Sequence, residues 1–153
     1  MTKNVLDYLC KCTGWLTALQ NIHWDANSMS QHKLCDDIKE DLDEFRDTVA
    51  EIEQGINGHI DLNDLKPVQY EISDLEKFIK DVISDTLEFY KNLEGDDYIG
   101  IRSECESFMG QFQKYIYLNS FCKKKDINEM KKKFRPIVSE TIKKYLNKKL
   151  IGE

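Results

Sequence analysis

No proline interrupts the first 66 residues, and only two, Pro67 and Pro136, occur in the whole chain of 153. Proline removes a backbone donor and clashes with the preceding turn, so its scarcity leaves long stretches free to be helical. Within those stretches apolar residues recur at intervals of three and four, the period of one helix face. Val5, Leu6, Leu9, Cys12, Trp15, Leu16, Leu19 and Ile22 trace such a face and predict a first helix over 4–24. Asn27, Ser28 and Ser30 interrupt it, and a second helix is predicted over 31–54, stopped by Gly55. The segment GINGHIDLNDLKP reads as a long connection holding at most one helical turn. Ile72, Leu75, Ile79, Val82, Ile83, Leu87, Tyr90 and Leu93 predict a third helix. A tight turn, Gly95-Asp96-Asp97-Tyr98, precedes a fourth helix marked by Ile101, Cys105, Phe108, Phe112, Tyr115, Ile116 and Tyr117.

Past residue 121 the pattern continues differently. Asp126 and Glu129 have capping-box spacing, and Ile127, Met130, Phe134, Ile137, Val138, Ile142 and Tyr145 repeat at helical intervals, with Pro136 expected to kink or split the helix. The expected organisation is therefore all-α. Residues 1–121 form a four-helix bundle and residues 122–153 a basic amphipathic helical extension. Four helices with one long link between the second and third match a ferritin-like bundle, because such a link lets two parallel neighbours share one bundle.

Charge follows the same division. Residues 1–121 hold 11 cations against 24 acids, a balance of −13, whereas residues 122–153 hold 11 cations against 4 acids, a balance of +7. A basic tail on an acidic body implies a partner, and a nucleic acid or an acidic surface is the obvious one. Lys123, Lys124, Lys125, Lys131, Lys132, Lys133, Arg135, Lys143, Lys144, Lys148 and Lys149 are its candidate contacts, though they equally suit the solvated face of a packed helix. No run of apolar residues is long enough to span a membrane. The N-terminal residues lack the apolar core of a secretion signal, so a cytoplasmic protein, or one beside the nucleoid or another DNA body, is expected. Five cysteines without a Cys-x-x-Cys pair read as reduced, mostly buried thiols on helices.

The candidate chemistry lies on the second helix. At 100° per residue from His32, the apolar Leu34, Ile38, Leu42, Phe45, Val49 and Ile52 fall between roughly 200° and 280°. His32, Asp36, Asp47 and Glu51 fall at roughly 0°, 40°, 60° and 100°, on a face turned away from the core. Asp36 and Asp47 stand about 16 Å apart along one helix, too far for one metal ion. Two copies of the helix packed antiparallel across a two-fold axis would bring His32 and Asp36 of one subunit to Asp47 and Glu51 of the other. Eight acids crowd residues 36–51, so a merely solvated acidic face is the competing explanation.

Over residues 4–121 the chain resembles the DNA-protecting miniferritins, the Dps family. The resemblance rests on His23-Trp24 ending the first helix, His32 and Asp36 early in the second, and Asp47-Thr48-Val49-Ala50-Glu51 eleven residues after Asp36. Gly95-Asp96 before the fourth helix and Lys114-Tyr115-Ile116-Tyr117-Leu118 near its end complete it. It implies iron bound by His23, His32, Asp36, Asp47 and Glu51 across a dimer interface, with zinc as a possible substitute. It further implies ferroxidase activity with peroxide or oxygen and ferric storage in a homododecamer built from dimers. Two departures stand out. His23 and His32 are only nine apart, with neither the family's Gly nor its Phe in residues 25–31, and Ile52 replaces its Arg after the Glu. The competing function is a ferroxidase-inactive architectural or nucleic-acid-packing particle of the same fold, and a third reading is an unrelated four-helix scaffold. Trp24 reads as a core residue and His59 as a surface one.

Overall fold

The computed structural model describes residues 3–122 and residue 132. The chain divides into two units, Met1–Asn119 and Ser120–Glu153, and the packing described below is that of the first. The expected fifth helix, the Pro136 kink and the basic contacts lie outside the described residues, except Lys132, which is helical and exposed. The described residues form four long helices and no strand: α1 Lys3–Trp24, α2 Met29–Asn57, α3 Leu75–Lys91 and α4 over 99–122. Single 3-10 turns occupy Leu62–Asp64 and Asp96–Tyr98.

Local chemistry sets the ends, and it moves several of them from where the sequence pattern put them. Helix α2 begins at Met29 because the Ser28 hydroxyl accepts from the Gln31 amide at 3.2 Å, satisfying one of the donors left open by a helix start. It runs through Gly55 and stops at Gly58, whose φ of 87° is a left-handed value that glycine tolerates and other residues rarely adopt. The stop expected at Gly55 is therefore three residues early. Helix α3 starts at Leu75 because Asp74 caps the Lys77 amide at 2.8 Å, leaving Ile72 outside.

The core face of α3 also differs from the expected stripe. Leu75, Phe78, Ile79, Val82, Thr86 and Phe89 are buried, whereas Leu87 is 39% exposed. Thr86 can occupy a core position because its hydroxyl donates to the Val82 carbonyl at 2.7 Å. Its only hydrogen is thereby used, so the Tyr8 hydroxyl donates to Thr86 across 2.8 Å. Burial holds that phenol protonated well above the ordinary tyrosine range.

Cross-helix contacts give the topology. Tyr8, early in α1, stacks on Phe89, late in α3, at 3.8 Å, so these helices are antiparallel. Phe45 of α2 stacks on Phe108 of α4 at 3.9 Å, and Tyr115 donates to Asp41, so α2 and α4 are antiparallel as well. Tyr90 of α3 donates to Glu106 of α4 at 2.7 Å. A short turn makes α2 antiparallel to α1, and hence α2 runs parallel to α3. The 58–74 crossover carries the chain back along the bundle to permit this. It lies on α1: Val68 N–H donates to the Cys10 carbonyl at 3.1 Å, and Lys66 N–H donates to the Cys10 sulfur at 3.3 Å. Gly14 makes the approach possible, since a Cβ there would stand 2.0 Å from the Val68 carbonyl oxygen. No helix among the described residues is long and apolar enough to cross a membrane.

Trp24, expected in the core, lies on the surface. It is 74% exposed, whereas Trp15 is fully buried. Nine residues at 100° each put the two on opposite sides of α1, and the turn that follows leaves nothing to cover Trp24. All five cysteines are buried, as expected, and His59 is exposed.

Candidate metal centre

His32 and Asp36 are one helical turn apart, so their side chains share one patch of the α2 surface. His23 is the penultimate residue of α1, and the short turn of residues 25–28 folds that end against the start of α2. A separation of nine positions between the two histidines is enough. The rings of His23 and His32 lie 3.7 Å apart between centroids, at 29° to one another. His23 Nε2 stands 3.0 Å from Asp36 Oδ1. One donor atom from each of His23, His32 and Asp36 lies within 4.8 Å of the other two, the one such group of three among the described residues.

The histidines are half-buried and Asp36 is exposed, so the trio opens to the surface. His23 Nε2 itself is shut off from solvent and makes no well-directed hydrogen bond, the Asp36 oxygen lying off its line. A buried nitrogen without a directed hydrogen bond, beside a carboxylate oxygen and a second imidazole, forms a corner that could take up a cation. Two imidazoles and one carboxylate could hold a divalent transition metal and leave coordination positions free, without selecting among such metals.

Asp47 and Glu51 are exposed and lie farther along α2, outside the trio. Asp36, Lys39, Glu40, Asp43, Glu44, Arg46 and Asp47 line one shallow open depression along the outer face of the helix. Of the core-facing stripe read from the sequence, Leu34, Ile38, Leu42, Phe45 and Val49 are buried, whereas Ile52, near the end of the helix, is only half-buried. Beside the trio, Trp24 and Met29 flank the turn with 74% and 70% of their surface exposed.

Two neighbours of the site escaped the sequence pattern. The Gln20 amide nitrogen lies 3.2 Å from His23 Nδ1, and its oxygen accepts from Lys39 Nζ at 2.8 Å. Gln20 precedes His23 by three residues, a spacing that marks neighbours on a helix, but only the packing of α1 on α2 brings Lys39 to it. Compared with models of protein families, with curated proteins and with solved structures, the chain matches none.

Proposed function

We propose that the protein is an iron-binding miniferritin of Dps type. It takes Fe(II) at a site shared between two subunits, oxidises it with peroxide or oxygen, and keeps the ferric product inside a closed homo-oligomer. The observation that carries this reading is the convergence of His23, His32 and Asp36 on one exposed corner of the bundle. Asp47 and Glu51 share that outer face of α2, and an antiparallel partner would bring its own copies of them to the trio. Trp24 and Met29 are the exposed apolar groups beside the trio that such a partner would cover. The parallel α2 and α3 joined by a long crossover suit a ferritin-like bundle.

Fe(II) is substrate and cargo in this scheme. The chain's own contribution is to hold the ion between neutral imidazole and carboxylate donors with positions left open for the oxidant. One electron from each of two Fe(II) ions reduces peroxide to water, which removes both reactants from the one-electron chemistry that makes hydroxyl radicals near DNA. The basic segment over 122–153 is the part proposed to meet DNA, through phosphate contacts that weaken steeply with salt.

The test combines mass with chemistry. Light scattering should give a species near twelve times the 18.0 kDa chain, and Fe(II) should be oxidised rapidly on addition of peroxide. Asp47→Ala and Glu51→Ala should each abolish rapid oxidation and leave a folded helical protein, and His23→Ala should weaken Fe(II) binding. A stable monomer at micromolar concentration would remove the shared site. An oligomer that consumes no oxidant with Fe(II) would be a particle without ferroxidase activity, and unchanged oxidation in all three variants would remove these residues from the chemistry.

A further inference from the structure

The geometry points to Gln20 as a positioning residue for His23, latched by Lys39 in the orientation that opposes metal binding; this rests on the metal reading of the trio. An ammonium group can only donate, so the Gln20 atom 2.8 Å from Lys39 Nζ must be the carbonyl oxygen. The other end of the amide, 3.2 Å from His23 Nδ1, is then the NH2 group, which can only donate. His23 Nδ1 must therefore accept, and in the neutral ring the proton sits on Nε2. Lys39, which never touches the imidazole, thus favours this tautomer through one amide, in the same sense as the Asp36 carboxylate 3.0 Å from Nε2.

Nε2 is the nitrogen that faces Asp36, and so the one placed to bind a metal. Binding needs its lone pair, which moves the proton of the neutral ring to Nδ1. A metal-bound histidine ordinarily donates that second N–H to an acceptor. Here Nδ1–H would meet the Gln20 NH2 group, donor against donor. The conflict is resolved by turning the amide over, and the turn breaks the link to Lys39. Metal occupancy and the Lys39–Gln20 hydrogen bond therefore exclude each other, and the pair sets how tightly the trio binds.

The consequence is that removing a hydrogen bond should tighten binding. In Lys39→Met the amide is free to present its oxygen, and Co(II) affinity should rise about threefold to tenfold, the worth of one hydrogen bond. Gln20→Glu offers an acceptor to Nδ1–H and still pairs with Lys39, so it should rise as well. Loss of a nearby positive charge would also favour a cation, and a double-mutant cycle separates the two causes. If Lys39 acts through the amide, Lys39→Met adds nothing in a Gln20→Leu background. If it acts by charge, the gain persists there.

The experiment is titration of the full-length protein with Co(II) alone, followed by its visible spectrum, together with 15N NMR of the His23 imidazole in the metal-free protein. The expected results are an Nε2–H tautomer in the wild type, which the Gln20 amide and the Asp36 carboxylate both favour, and a gain on Lys39→Met that vanishes in the double variant. Wild-type Co(II) binding with a gain that survives in the double variant, or with an Nδ1–H tautomer, would overturn the latch and leave the metal site standing. No Co(II) binding by the wild type would overturn the site and the latch together.

Discussion

Replacing Gly14 by alanine probes a close backbone approach, where the crossover passes over α1. The added Cβ would lie 2.0 Å from the Val68 carbonyl oxygen, against an ordinary contact of 3.4 Å or more. The obstacle is backbone, so no rotamer change relieves it, and the strap must lift by about 1.4 Å. That movement would stretch the 3.1 Å hydrogen bond from Val68 N–H to the Cys10 carbonyl beyond 4 Å, which breaks it. Overpacking of this kind costs about 1–3 kcal/mol, and the lost hydrogen bond adds about 1 kcal/mol. Alanine's better helix propensity offsets about 1 kcal/mol, leaving a net destabilisation of about 2 kcal/mol. The same substitution at Gly55 is the internal control. Gly55 lies inside α2 with nothing within 4 Å of a would-be Cβ, so Gly55→Ala should stabilise by about 0.5–1 kcal/mol. Urea unfolding followed by circular dichroism should show the two midpoints moving in opposite directions, by roughly 1 M for Gly14→Ala. Equal shifts of one sign in both variants would refute the packing of the crossover on α1.

Alkaline pH should weaken the fold. Burial pushes the Cys105 thiol from 9.0 to about 12 and the Tyr70 phenol from 10.0 to about 12. The unfolded chain therefore loses these protons first. Stability should hold below pH 9 and fall from there to about 12, and Cys105→Ala should remove part of the fall in urea midpoints measured against pH. Trp24→Ser should leave subunit stability within about 0.5 kcal/mol, because the side chain is mostly exposed. In the proposed assembly the same variant should weaken subunit association at least roughly tenfold by analytical ultracentrifugation; unchanged association would show that Trp24 lies outside any interface.

The sequence by itself determined the elements and the direction of α2. Apolar spacing of three and four, uninterrupted by proline, requires helices that bury one side, and the stripe from Leu34 to Val49 therefore turned His32, Asp36, Asp47 and Glu51 outward before any contact was known. Other features were invisible because they depend on contacts between segments. Gly55 and Gly58 look alike as helix stops, and only the backbone turn at Gly58 requires a positive φ. Thr86 looks unlike a core residue until Val82 and Tyr8 take up its hydroxyl. Trp24 looks like core by composition and is exposed by its angle on α1. At the candidate site, spacing could pair His32 with Asp36, since one helix turn fixes their separation. Whether His23 joined them depended on the 25–28 turn, and the Gln20–Lys39 contact depended on how α1 lies on α2. A helix period records which side faces the core, and the distance between two helices is recorded only where they pack.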